Sequence, residues 1–440
     1  MKRIRIIAVF LAGLFGTSYA NAQDVLSLQQ AIKYALQNKA DAKTAALELE
    51  NSEYMIDEVR GTALPQITGS ASIKNNVIIP EMALENNGQV MRVKMGQPWN
   101  SSAMLSLNQQ LFNQSVFTGL KAAKTTREFY VINKDLTEEQ LIERVATAYY
   151  EVFQTQMQLQ TVDINLNSTT KTRDVIKGLV DAGLGKKIDL DRTTVAVNNL
   201  KANRQILAVA LDLRENALKF AIGMPIQTTI ALPKETFDVD ANVAFDVENV
   251  DNRTEVRLTE KQIQLLELNK KAAIAELYPR LSLGADFGFS GFGKGFPIGG
   301  NFNWPKTSSI GLNLSVPIFT GGSTKARINQ ADIQIRQAQV SLADTKLGLT
   351  LANDNAIAQI RSSLLTINTN RGNVQLAKDV LADTENNYKN GLASLTDLLD
   401  AEKAYADAQN NFTTSLLDYK VAEIGLIKAK GELKTLVNEK

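Results

Sequence analysis

"SSIGLNLSVPIFTGGSTKARINQADI", residues 308–333, changes its period partway along. Ile310, Leu312, Leu314, Val316 and Ile318 alternate with Gly311, Asn313, Ser315 and Pro317, the two-residue repeat of a strand with one apolar face. After Thr320, Gly321 and Gly322 the alternation stops and a long polar run of helical character begins. The stretch "SSAMLSLNQQLFNQSVFTGLKAAK", residues 101–124, has the same opening, the same alternation and the same passage into helix. The chain therefore builds a two-faced strand, runs it into a long helix, and does so twice.

Composition bounds what such a chain can do. Its 440 residues include no Cys, no His and two Trp, with 48 basic against 47 acidic residues. A near-neutral balance gives no support to a nucleic-acid partner. Without His and Cys the commonest general base, the thiol nucleophiles and the usual zinc or copper ligands are gone. Carboxylate, Lys or Tyr chemistry is not concentrated anywhere along the sequence. No catalysis, cofactor or metal is expected, and no disulfide framework or lipidated N-terminal Cys.

The first residues, "MKRIRIIAVFLAGLFGTSYANA", carry Lys2, Arg3 and Arg5, then an apolar stretch from Ile6 to about Phe15, then Ala20-Asn21-Ala22. This pattern predicts a secretory signal over residues 1–22 with Gln23 opening the mature chain. The other reading, a membrane anchor, needs an apolar core long enough to span a bilayer, and this one is too short. No later segment approaches the roughly 20 apolar residues of a membrane helix, so a mature chain that enters a membrane must use strands.

Four segments alternate. In "QITGSASI", Ile67 and Ile73 are out of phase with Gln66, Thr68, Ser70, Ser72 and Lys74. Ala103, Leu105 and Leu107 stand against Met104, Ser106 and Asn108. Leu281, Leu283, Ala285, Phe287 and Phe289 stand against Arg280, Ser282, Gly284, Asp286, Gly288 and Ser290, and the opening stretch is the fourth. The second face of each is small and lightly charged, as for a wall lining water, where a soluble sheet would carry more charge. The spacing predicts two hairpins with long tips, roughly Ile79 to Trp99 and Gly291 to Pro305, the pattern of an outer-membrane barrel. Four strands cannot close one, because the smallest have about eight and open edges are not tolerated in lipid. Several copies must share the barrel.

The remainder reads as helix. Leu398, Tyr405, Phe412, Tyr419, Leu426 and Leu433 recur every seven residues, and Ala401, Ala408, Ser415, Ala422, Ala429 and Leu436 follow in step. Leu141, Ala148, Thr155 and Val162, with Val145, Val152, Leu159 and Leu166, show the same period. Strict sevens predict helices packed along a coiled-coil seam. Spans of about Ser115 to Ala182 and Ser323 to Asn390 would each run on the order of 100 Å at 1.5 Å per residue.

Each long helix then turns back. "DAGLGKKIDLDR" and "YKNGLASLTDLLDAE" align Gly183 with Gly391, Leu184 with Leu392, Asp189 with Asp397 and Leu190 with Leu398. Gly183 and Gly391 are expected to end the outgoing helices in left-handed caps. Pro65 in "LPQI" matches Pro279 in "YPRL", each ending a helix and opening a strand. The expected organisation is a signal (1–22), a first repeat (23–224), a linker with two prolines and clustered acids (225–252) and a second repeat (253–440). Each repeat reads helix, strand, long loop, strand, long helix, turn, helix.

Carried by the duplicated "LPQI" and "YPRL" junctions, the "LF" and "PIF" strand ends and the return turn "YKNGLASLTDLLDAE", the chain resembles the TolC-like outer-membrane efflux protein family over essentially its whole mature length. The resemblance implies a mixed α and β membrane protein: a homotrimer with a 12-stranded outer-membrane barrel, four strands per chain. A long periplasmic α-helical coiled-coil barrel would continue it. It implies docking at the helical tip with a periplasmic adaptor (membrane fusion) protein and an inner-membrane pump of the RND or ABC type, with Gly183, Leu184, Gly391 and Leu392 in the docking turns. It places an acidic entrance at Asp397 and Asp400, which would favour cations. Acids near a helix start also cap it, so that reading stays open. Asp189 and Tyr388 match the family's closing tie, whereas Ala393 and Leu416 stand where the family has arginines. The expected function is a passive exit duct for efflux or type I secretion. The competing readings are a periplasmic coiled-coil adaptor or scaffold, which would lack the four strands, and a secreted carboxylate hydrolase, which no clustered acid pair supports.

Overall fold

A computed structural model describes residues 25–86, 89–233, 239, 249–298 and 302–437. The signal read over residues 1–22, much of the linker and the end of the second strand tip lie outside the described residues. Helix α1 (Leu28–Asn38) opens on a capping box in which Ser27 and Gln30 each accept the other's backbone N–H. Helix α2 (Ala40–Thr62) follows after a break at Lys39, whose ψ of 138° is extended. The single upstream helix read from the sequence is therefore two. Lys39 Nζ donates to Phe220 O at 2.8 Å and lies 3.7 Å from the Phe220 ring centroid, so the break places a cation on a distant helix C-terminus.

Strand β1 (Gln66–Asn75) follows Pro65, then a ribbon of β2 (Glu81–Asn86) and β3 (Gln89–Lys94), then β4 (Trp99–Phe112). The ribbon occupies the segment read as a long loop. Helix α3 (Gln114–Asp181) has 68 residues and returns as α4 (Lys187–Ile222). The second repeat runs α5 (Thr254–Ala275), β5 (Arg280–Gly293), β6 (Lys306–Ser315), α6 (Ser323–Lys389) with 67 residues, and α7 (Leu395–Lys430). At 1.5 Å per residue the two long helices span about 100 Å each.

The sheet is antiparallel in the order β1-β4-β5-β6, so strands of the two repeats meet at its centre, Trp99 opposite Gly293 and Leu107 opposite Ala285. Strands β1 and β6 are its open edges, and every residue of both is exposed.

The helical body is held midway along α3. Leu141, Ile142, Val145 and Val152 meet Ile32 of α1, Leu218 and Ile222 of α4, Ile424 of α7, and Leu433 and Leu436. Tyr149 is buried there; its hydroxyl donates to Leu26 O at 3.1 Å, and burial pushes its pKa up to about 12. A second core joins Ile360 and Ile367 of α6 to Leu416, Tyr419, Ala422 and Leu426 of α7. Much of the seven-residue seam is thus buried, including Leu398, Tyr419, Ala401, Ser415 and Ala429. It leaves the helix at its end: Gly431, at φ +76°, terminates α7, and Leu433 and Leu436 reach the core from a 3-10 turn, Leu433–Val437.

Candidate functional site

The far ends of the long helices turn by the same device twice. Gly183 N donates to Val180 O at 2.9 Å and Leu184 N to Leu179 O at 2.8 Å; Gly391 N donates to Tyr388 O at 3.0 Å and Leu392 N to Asn387 O at 2.8 Å. Both glycines sit at φ +74°, the left-handed conformation that an L side chain strains, which is why the sequence places Gly there. The following leucines point into solvent, Leu184 at 81% and Leu392 at 78% exposure, so each turn carries one apolar side chain at its apex.

The returning helices start differently. Ser394 caps α7: its hydroxyl accepts from Asp397 N at 3.2 Å, and Asp397 Oδ2 accepts from Ser394 N at 2.8 Å and from its Oγ at 2.7 Å. These bonds hold the Asp397 carboxylate below its ordinary pKa, the side-chain bond first and the backbone bond second. Crowding would act the other way, so within one chain Asp397 is a capping acid. Asp400 lies exposed one turn further along α7. At the start of α4, Lys186 occupies the cap without a side-chain bond.

Tyr388, at the end of α6, comes close enough to Asp189 to feel its charge: burial, then that charge, raises the phenol's pKa. Near the turns the two return hairpins are joined by a hydrogen bond from Arg192 Nη1 to Thr396 Oγ1 at 3.1 Å. Nearly two turns further along α7, Glu402 accepts from Thr169 Oγ1 at 2.8 Å and Thr172 Oγ1 at 3.5 Å, both on α3. Burial raises the Glu402 pKa, the Thr169 bond opposes this, and the Glu385 charge adds to it. Sequence reasoning missed Arg192, Thr396 and Glu402; an acid directly after the seam residue Ala401 is the signal for the last. Ala393 lies in the turn, its N–H 3.3 Å from Asn387 O, while Leu416 is buried in the α6–α7 core far from the tip. Among the described residues no group of three or more acids is placed to hold a metal ion.

At the opposite end the register sorts the strands into two faces, since directly opposed residues share a face. Ile67 opposes Leu107, Leu105 opposes Phe287, Ala285 opposes Ile310, Leu283 opposes Leu312 and Leu281 opposes Leu314. The other face pairs Ser72 with Ser102, Ser106 with Asp286, Asp286 with Ser309 and Ser282 with Asn313. The apolar face is open in the single chain, with Ile310 at 77% and Leu312 at 67% exposure. No helix among the described residues is long and apolar enough to cross a membrane.

A two-faced sheet with open edges on a long helical stalk with paired return turns defines a membrane channel subunit. The chain belongs to the outer membrane efflux protein family, whose model matches residues 31–224 and 248–432. It is similar to the solvent efflux pump outer membrane protein SrpC of Pseudomonas putida, 24% identical over 92% of this chain and 85% of that protein. It is also similar to the outer membrane protein TolC of Vibrio cholerae, 22% identical over 98% and 96%. The CmeC outer membrane channel of Campylobacter jejuni superposes with a TM-score of 0.76 at 17% identity, covering 94% of this chain and 88% of that one. The protein is thus an outer-membrane efflux channel protein with the mixed helical and strand architecture of that family, and the four strands exclude the adaptor reading.

Proposed function

We propose that three copies close one 12-stranded barrel, β6 of each pairing with β1 of the next, and that the helices beneath form a periplasmic tunnel. The observation that carries this is the four-stranded sheet with two open edges and one bare apolar face. Unpaired strand edges are not tolerated in lipid, and four strands are too few to close on themselves. The apolar face then meets lipid and the serine-rich face lines water. The duct is passive. Its energy comes from an inner-membrane pump, of the RND or ABC type, reached through a periplasmic adaptor that docks on the return turns at Gly183, Leu184, Gly391 and Leu392. The exposed Leu184 and Leu392 supply the apolar anchor such docking needs. At the tip, Asp397 and Asp400 ring the entrance and favour cations, while Asp189 and Tyr388 close it together with Arg192 and Thr396. A mass measurement on the detergent-extracted protein tests the assembly: a trimer is expected, and a monodisperse monomer with intact strand content overturns it.

A further inference from the structure

Where the strands give way to helix, a cleft of about 390 Å³ opens between the start of α3 and the end of α5. Phe117, Leu268, Ile274 and Tyr278 line it together with Lys121 and Lys271, both exposed. Phe117 and Lys121 are four residues apart, hence on one face of α3. Two observations together say what fits there.

The first is charge. Several nearby cations are neutralised by acids: Lys261 by Glu128 at 2.7 Å, Lys270 by Asp332 at 2.6 Å, Arg327 by Glu276 at 2.6 Å, and Arg127 by Glu53. Lys121 and Lys271 belong to no ion pair among the described residues, so the cleft keeps two ammonium groups for an outside anion.

The second is position. Phe112, at the end of β4, opposes Leu281 of β5 and so lies on the sheet's apolar face. Its ring is 6.4 Å from that of Phe117, which continues the same surface into the cleft. The cleft therefore sits on the side of the wall that bears the apolar residues, at the end of the strands nearest the helical stalk. A soluble anion would satisfy the lysines and leave Phe117, at 59% exposure, in water. An amphiphile with an anionic head satisfies both, its acyl chain along the aromatics and its phosphate at the lysines, whose stems reach from the apolar wall to the headgroup level.

We propose that this cleft binds one anionic glycerophospholipid of the inner leaflet per chain, fixing the height of the channel in the membrane. The proposal rests on the apolar sheet face meeting lipid. The test is native mass spectrometry of the delipidated, detergent-purified protein titrated with dioleoyl phosphatidylglycerol, dioleoyl phosphatidylcholine or inorganic phosphate. Phosphatidylglycerol should bind more tightly than phosphatidylcholine, and Lys121→Gln with Lys271→Gln should weaken it by about tenfold or more. Lys124→Gln, an exposed lysine outside the cleft, should leave it unchanged. Equal phosphatidylglycerol binding by the native protein and the double variant overturns the proposal. So does equal binding of the two lipids, or displacement of phosphatidylglycerol by millimolar phosphate, which would mark a soluble-anion site. Failure of the sheet-face assignment shows separately, in the labelling of strand residues described below.

Discussion

Ser106 Oγ donates to Asp286 Oδ1 at 2.6 Å, joining a strand of the first repeat to a strand of the second. Ser309 donates to the other oxygen at 3.2 Å, so one carboxylate gathers three adjacent strands on the polar face. Asp286 is the only acid on the four main strands. An acid held by two hydroxyls, with small residues around it, belongs beside water, because a carboxylate moved into hydrocarbon loses its hydration without a countercharge.

The face assignment follows from that contact. In a cysteine-free background, single Cys at Ser282, Asp286, Asn313 or Ser315 should react with a water-soluble thiol reagent in the assembled channel. Cys at Leu283, Phe287, Leu312 or Leu314 should not. Replacing Leu312 by Arg should cost roughly 2–4 kcal/mol near mid-membrane, and Asn313 much less, read from urea unfolding in detergent or lipid. Faster labelling of the leucine set reverses the assignment.

The proposed entrance role of Asp397 and Asp400 can be separated from a capping role. Changing Asp397 and Asp400 to Asn should lower cation preference in planar-bilayer recordings and relieve block by multivalent cations, with trimer assembly intact. Asn at 397 can still accept the Ser394 N–H, so if these residues only cap α7, selectivity stays as it was. Ser394→Ala removes the hydroxyl bond, the larger cause of the depressed Asp397 pKa, and keeps the backbone N–H bond, so that group should move part of the way back up. Because the folded value is the lower one, this contribution to stability is present above the ordinary carboxylate range and is lost as pH falls through the depressed value.

Glu402 has the opposite sign. Burial raises its pKa, so the folded chain holds the proton more tightly than the unfolded one. Its contribution to stability is full below the ordinary carboxylate range and fades as pH rises through the raised value. Glu402→Gln keeps an acceptor for Thr169 and carries no charge. Thermal melts followed by helical circular dichroism should show a higher midpoint at pH 7 and no gain at pH 4. An equal change at both pH values removes ionisation from the explanation.

The glycine turns allow a comparison of strain with crowding. A Cβ added to Gly183 or Gly391 meets nothing within 4 Å, so each Ala substitution should cost only the left-handed penalty, about 1–2 kcal/mol. At Gly223, also left-handed, a Cβ would approach Asn38 O and Lys39 Cα at 3.1 Å, and the cost should be larger. Chemical denaturation ranks the three; a Gly223→Ala no worse than Gly391→Ala shows that the α1–α2 break yields.

Much of this architecture was legible because its signals are local and repeated. The alternation at residues 281–289 and 310–314 fixes strand faces by side-chain period alone, and Gly183 and Gly391 mark their turns through backbone sterics. What escaped depends on distant contacts. The break at Lys39 has no Gly or Pro to announce it, and its reason is Phe220, 181 residues away. The β2–β3 ribbon did carry a signal, an Asn-Gly pair at 87–88 between two short alternating runs, the commonest hairpin dipeptide. Leu433 and Leu436 keep the seven-residue count past Gly431 and are buried, but they reach the core from a 3-10 turn beyond the end of α7. At the tip, the Arg192–Thr396 bond joins two turns that the repeat pairs in sequence, but which side chains meet there depends on how the two hairpins pack, and no local pattern encodes that.

The open edges of the sheet carry a consequence for how the protein is made. Ordinary domains complete their hydrogen bonding within one chain, so their stability is indifferent to dilution. In the proposed barrel, the outer N–H and C=O groups of β1 and β6, open in the single chain, find partners only on another copy. Folding of the membrane part is then inseparable from encounter, and its apparent stability rises with the concentration of chains. A lone newly exported chain is an aggregation hazard until it meets others, with two bare strand edges and the exposed Ile310, Leu312 and Leu314. Such a protein calls for escort during transit, and the rate of its maturation should climb more steeply than linearly with its rate of synthesis.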